Sequence, residues 1–140
     1  MATTLAGKVQ NLNYKTIRYP GHCELMRFLL QDLQMQHHKA ELARIFDRAI
    51  PTTPNDQIVI YVSAIGEKGG KLTELTYAKI VKDQIIDGQH WTGIQITTAA
   101  GITGVLDLMA QGKLPTRGLI KMEDVGYDAF LQNRFGKYYA

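Results

Sequence analysis

Cysteine is almost absent: Cys23 is the only one in 140 residues. That excludes an intrachain disulfide and is compatible with a reducing compartment. Long apolar runs are missing, since no stretch reads as the roughly 18 uninterrupted apolar residues of a membrane span. The opening Met-Ala-Thr-Thr-Leu lacks a basic region followed by a hydrophobic one, so no secretory leader is read there. Lysine and arginine are dispersed with no run of four, and the formal net charge is only +3. A chain that binds nucleic acid or an anionic membrane concentrates its basic residues, so neither partner is expected. The expectation is a cytoplasmic protein.

Metal and nucleotide signatures are equally scarce. His37 and His38 are adjacent and diverge on either a helix or a strand, and with His90 they give no ligand spacing. No metal site is expected. Gly66-Glu67-Lys68-Gly69-Gly70-Lys71 is rich in glycine but lies between two strand patterns, with no helix to follow. Gly101-Ile102-Thr103-Gly104 opens a helical pattern but lacks the third glycine and the acidic residue that reads a ribose. No cofactor-binding fold is read in this chain. His22 beside Cys23 suggests a thiol nucleophile only superficially. Neighbours at a helix start diverge and no second base is visible, so Cys23 is expected to be a small buried residue. No catalytic residue can be assigned.

What is present is an ordinary globular composition, 45% apolar and 21% charged, of a length that suits one domain over residues 1–140. Such a chain buries roughly two thirds of its unfolded surface. Residues 1–11 are uninformative beyond a short strand or arm at 5–9. Alternation predicts a strand over 12–19, and Leu25, Phe28, Leu29 and Leu33 predict a helix over 21–35. A second helix over 39–50 has Leu42, Ile45, Phe46 and Ala49 on one face, and Pro51 ends it. Residues 58–65 are β-branched and nearly all apolar, as for a central strand covered on both faces. A turn at 67–71 leads to an antiparallel partner over 71–82, and 85–90 adds an edge segment broken by Asp87-Gly88. A strand over 91–97, a helix over 98–111 capped by Gly112, a loop over 114–120 and a last helix over 127–135 complete the pattern. The sum is an α+β fold, with a mixed, largely antiparallel sheet of about four to six strands and helices on one face.

Two strand-to-helix joints are the candidate site. At the first, Arg18, Tyr19, Pro20, Gly21 and His22 join the strand to the helix, with Gly21 supplying an unusual backbone angle and Glu24 in the first turn. Arg18 and His22 stand beside backbone donors suited to a carboxylate or phosphate. At the second, Thr97 or Thr98 is expected to cap its helix, and Gly101 to allow close approach. Two helix starts facing one cleft would suit a substrate with more than one carboxylate. The ordinary reading stands beside it: threonines that only cap, and an arginine on a solvated strand. The C-terminal aromatics Tyr127, Phe130, Phe135, Tyr138 and Tyr139 are expected to pack on the core or on a second subunit.

Arg-Tyr-Pro-Gly-His, ending a strand and opening a helix, resembles the C-terminal substrate domain of the saccharopine dehydrogenase family. That family includes saccharopine reductases, lysine 6-dehydrogenases and carboxynorspermidine synthase. The likeness continues through the hairpin, through Thr97-Thr98-Ala99-Ala100-Gly101, and closes with Arg117-Gly118-Leu119-Ile120 and a short helix, covering residues 14–135. It implies the substrate-binding and dimerisation portion of an NAD(P)-dependent oxidoreductase acting on a C–N bond of a lysine-derived amino acid or polyamine. By the same resemblance Arg18, Tyr19, Gly21, His22, Thr97, Thr98 and Gly101 would meet the substrate, and the chain would form a homo-oligomer. The family's Rossmann half, which holds NAD(P), has no counterpart here, so the isolated chain is not expected to be active. The alternative is a free-standing, non-catalytic amino-acid-binding or oligomerisation module.

Overall fold

A computed structural model describes residues 3–140. The sequence reads as one domain, whereas the internal contacts gather into two compact units, one ending at Thr52 and the other Thr53–Ala140.

In the first unit, residues 11–19 form no strand. Tyr14 and Ile17 are 93% and 88% exposed. Alternation alone does not make a strand: the backbone needs a paired neighbour, and none of the described residues in this unit supplies one. The helix opens as expected. Gly21 sits at φ +83°, in the left-handed region, and α1 (His22–Arg27) follows with Glu24 in its first turn. It runs into one π-helical turn, Phe28–Asp32, and stops where Gln34 turns left-handed at φ 57°, before the expected end at 35. After a 3₁₀ turn at Met35–His37, α2 (Lys39–Ala49) buries Leu42, and Pro51 follows its end, as read from the sequence.

The second unit begins with a long hairpin. β1 (Gln57–Lys68) pairs antiparallel with β2 (Lys71–Lys82), from Gln57 opposite Lys82 to Lys68 opposite Lys71. Gly69 and Gly70, at φ +59° and +74°, make the two-residue turn that matches strand twist and requires two left-handed residues. β1 is not a central strand. Ile58 and Ile60 are half-buried, but Val59, Tyr61 and Ile65 are 63%, 64% and 69% exposed. The apolar run over 58–65 serves an uncovered ribbon. β3 (Gln84–Ile86) and β4 (Gln89–Trp91) form a second small hairpin turning on Asp87 and Gly88. The fold is thus α+β, but its described strands pair as two two-stranded sheets instead of one larger sheet.

α3 (Gly93–Ala110) is the organising helix of this unit. Ile96, Ala100 and Leu108 are buried together with Val81 of β2, and α4 (Tyr127–Leu131) and a 3₁₀ turn at Gly136–Tyr139 pack against α3. Gly104 is required here: a Cβ would meet the Phe130 ring at 2.7 Å. At 18 residues and a mean hydropathy of 1.2, α3 meets the length and composition of a membrane span, which the sequence reading did not anticipate. Its buried face packs as a core helix does.

Candidate functional site

The first joint retains its expected shape without its strand. The Gly21 turn lets the His22 N–H donate to the Tyr19 carbonyl at 3.1 Å, and the Leu25 N–H then bonds Gly21 at 3.0 Å. Tyr19 and His22 meet edge to face, with ring centroids 5.0 Å apart. Burial closes over Nδ1 of His22, which has no hydrogen-bond partner among the described residues. Arg18 is exposed. Cys23 is exposed as well, contrary to the expectation of a buried thiol, since the short α1 buries none of its residues. Arg18, Tyr19, Gly21 and His22 are therefore one local cluster built by a single tight turn.

The second joint lies elsewhere than expected. β4 ends at Trp91 and α3 is capped by Thr92, so Thr97 and Thr98 fall inside the helix instead of at its start. A capping box fixes the boundary: Thr92 Oγ1 accepts from the Gln95 N–H at 3.3 Å, and Gln95 Oε1 accepts from the Thr92 N–H at 3.0 Å. The Asp56 carboxylate then accepts from the Gly93 N–H at 2.5 Å and the Ile94 N–H at 3.0 Å. The donors of this helix start are thus held by side chains of the same unit, leaving no open cradle for a substrate anion. Gly93 admits this approach, because a Cβ would stand 2.7 Å from the Val81 carbonyl oxygen and 3.2 Å from Asp56 Oδ1.

Thr97 is buried, and its Oγ1 donates back to the Gly93 carbonyl at 2.9 Å. Its own carbonyl accepts from the Tyr139 hydroxyl at 2.6 Å, and a Cβ on Gly101 would lie 3.4 Å from that hydroxyl. Thr97 and Gly101 therefore seat the C-terminal tail. Thr98 faces outward, exposed. The tail is held further by the Tyr77 hydroxyl donating to the Tyr139 carbonyl and by Lys79 Nζ on the Ala140 oxygen. Phe130 lies 5.6 Å from the Tyr139 ring, so these two members of the aromatic cluster pack within their own unit, while Tyr127 stays 59% exposed. Burial pushes the Tyr139 phenol above its ordinary pKa, and burial followed by neighbouring Tyr127 and Tyr139 does the same to Tyr77.

A second lock joins α3 to the segment after α4. Asp107 accepts from Arg134 Nη2 and from Asn133 Nδ2, each at 2.7 Å, and from Gln111 Nε2 at 2.6 Å. The Arg134 guanidinium first, and then the Asn133 amide, hold the Asp107 carboxyl below its usual pKa. Two depressions, about 580 Å³ beside β2 and β3 and about 630 Å³ on α2, include no residue of either joint. Among the described residues, no three His, Cys, Asp or Glu side chains gather in a metal-binding group. The sequence reading missed Asp56 and Thr92, and it named Tyr139 as a packing residue without its bond to Thr97. Thr92-Gly93-Ile94-Gln95 carried a signal, the Thr-x-x-Gln spacing of a capping box, whereas Asp56 and Tyr139 act across long sequence separations.

No protein-family model matches this chain, and no solved structure matches it.

Proposed function

We propose that this chain is the substrate-binding and dimerisation portion of an NAD(P)-dependent oxidoreductase similar to the saccharopine dehydrogenases, acting on a C–N bond of a lysine-derived amino acid or polyamine. The observation that carries this reading is the joint at residues 18–24. A left-handed Gly21 turns the chain sharply, an exposed guanidinium stands before it, and an imidazole with an unpartnered buried nitrogen stands after it. Arg18 would receive a carboxylate, since its planar fork matches two oxygens at once. His22 would position or accept a proton from the substrate nitrogen, its ring held by Tyr19. The proposed contact is confined to residues 18–24; in the other unit Thr98 is exposed, and Thr97 and Gly101 seat Tyr139.

The two glycine-rich stretches do not open as phosphate-binding loops. Gly69 and Gly70 close a hairpin, and Gly101 and Gly104 lie within α3, the latter under Phe130. By the resemblance, a separate Rossmann domain would hold the hydride carrier, and this chain would supply binding and orientation. The second reading, a free-standing binding or oligomerisation module, is favoured by the uncovered β1–β2 ribbon.

Titration of the ¹⁵N-labelled chain with a dicarboxylic amino acid tests the proposal. Saturable shifts confined to the amides of residues 18–24 are expected. Arg18→Ala removes a charged hydrogen-bonding partner, a loss of about 2 kcal/mol or roughly tenfold or more in affinity. Absence of saturable shifts at millimolar ligand, or equal affinity in the Arg18→Ala chain, overturns the site.

A further inference from the structure

We propose that the outer edge of β1 is the docking surface for a second copy of this chain, strand against strand, about a two-fold axis at Val62. This gives the dimerisation half of the preceding reading a surface, and it rests on that reading only for the idea that the chain self-associates. β1 pairs with β2 alone among the described residues, so its other edge carries unpaired backbone groups. The two-residue turn makes Lys68 and Lys71 a mutually hydrogen-bonded pair. Alternation from that pair turns the N–H and C=O of even-numbered β1 residues toward β2. Those of Val59, Tyr61, Ser63 and Ile65 point outward.

The two edges of the ribbon differ in chemistry. β2 carries Lys71, Glu74, Lys79 and Lys82 along its length, the charged side chains by which edge strands resist pairing. From Ile58 to Gly66, β1 has neither a charge nor a proline. An edge this long and uncharged is a template for another strand, and the same uncharged run on a second copy is its match.

Antiparallel pairing of β1 with its own copy keeps each side chain on its face only in alternate registers. With Val62 opposite Val62 of the second copy, Tyr61 meets Ser63, Val59 meets Ile65, and Ile58 meets Gly66. Gln57 then stands opposite Glu67, and Asp56 opposite Lys68. The hydrogen-bonded pairs fall on the outward-pointing odd residues, as the ladder requires. The register centred on Ser63 sets Glu67 against Val59 and Lys68 against Ile58. The register centred on Tyr61 runs Lys68 past the end of the strand, to Pro54. The Val62 register alone pairs the uncharged run from Ile58 to Gly66 entirely with itself, and it does not call on Asp56, whose carboxylate is held by the Gly93 and Ile94 amides. It yields a four-stranded antiparallel sheet, β2-β1-β1-β2, of the size at which a sheet becomes independently stable.

The test is a pair of measurements on the full chain with Cys23→Ser, which removes the exposed native thiol. Val62→Cys puts two thiols at a non-hydrogen-bonded pair on the axis, with Cα atoms about 4.5 Å apart, within disulfide range. Mild oxidation should convert the Val62→Cys chain to a covalent dimer and leave the Ala78→Cys chain, changed on β2, monomeric. In sedimentation the Cys23→Ser parent should run at dimer mass. Val62→Lys, which sets two like charges face to face, should weaken dimerisation by roughly tenfold or more. A monomeric parent, cross-linking at 62 no faster than at 78, or a Val62→Lys chain that dimerises as its parent does each overturns the proposal. The cross-link is read without ligand, so loss of amino-acid binding at Arg18 and loss of this interface are separate results.

Discussion

Removing the Asp56 carboxylate tests how α3 is anchored. Asp56→Ala strips two acceptors from the Gly93 and Ile94 amides, at the start of an 18-residue helix that supplies much of its unit's core. Gly93 is buried, so water does not readily replace the lost partner. A hydrogen bond to a charged group contributes about 1.5–3 kcal/mol, and loss of a helix cap costs about 0.5–2 kcal/mol. The Thr92–Gln95 box remains, so the two losses do not sum. An intermediate cost of about 2–3 kcal/mol is expected, lowering the melting temperature by on the order of 10 °C or more in a unit of this size. Urea unfolding followed by circular dichroism should show a lower midpoint with an unchanged slope, and Asp56→Asn, which keeps an oxygen without the charge, should fall between. The Ile94 amide, on the exposed residue of the pair, should also bind sulfate in the Asp56→Ala chain, restoring part of the loss, while sulfate does less for the parent chain. A midpoint within about 0.5 kcal/mol of the parent, the range of ordinary surface changes, or equal sulfate responses would refute the anchoring role.

The Asp107 lock sets an acid dependence. Because Arg134 and Asn133 lower its folded pKa, its contribution is full above the ordinary carboxylate value of about 3.9 and is lost as pH falls through the lowered folded value. The parent's stability advantage over Asp107→Asn, measured by urea midpoints, should therefore persist at neutral pH and vanish in acid. Tyr139→Phe deletes the bond to the Thr97 carbonyl but keeps the ring against Phe130, so a loss of about 1 kcal/mol is expected in thermal unfolding. Raised folded values for Tyr139 and Tyr77 mean that their contribution is intact below the ordinary tyrosine value of about 10 and fades as pH rises through the folded values. Absorbance at alkaline pH should show a late-titrating tyrosine fraction that shrinks in Tyr139→Phe.

The parts of the fold legible in the sequence were those set by local chemistry. The glycine-rich turn between an apolar run and an alternating one specified the hairpin, and α2 matched its apolar spacing and its proline stop almost to the residue. The start of α3 was misread by five residues, because Ile94, Ile96, Thr97 and Thr98 look like a strand when β-branched content is weighed above capping. The capping box and Asp56 outweigh that propensity by satisfying the helix's first donors. Residues 11–19 failed in the opposite way: their alternation is genuine, but a strand is a paired object and no local residue pairs with them. At the first joint, the left-handed Gly21 followed directly from Pro-Gly. The seat of Tyr139 on Thr97 spans 42 residues and has no local signature.

These outcomes change what the candidate site can recognise. The attraction of two joints lay in two anion-binding helix starts, matched to a substrate with two carboxylates. α3 already has its carboxylate, and Asp56 holds it through a covalent tether, so a free ligand competes against an effective concentration in the millimolar range or above. A substrate carboxylate does not displace it at ordinary concentrations. On the proposed reading, recognition of charge would then rest on Arg18, with one guanidinium for one carboxylate. The Arg18→Ala titration should accordingly be run with both lysine and a dicarboxylic amino acid. If Arg18 is the only anion contact, both ligands lose the same factor, roughly tenfold or more, and the parent prefers neither by much. A parent that favours the dicarboxylate strongly, and keeps that preference after Arg18→Ala, has a second cationic contact outside both joints, and the search for it would begin among the remaining lysines and arginines.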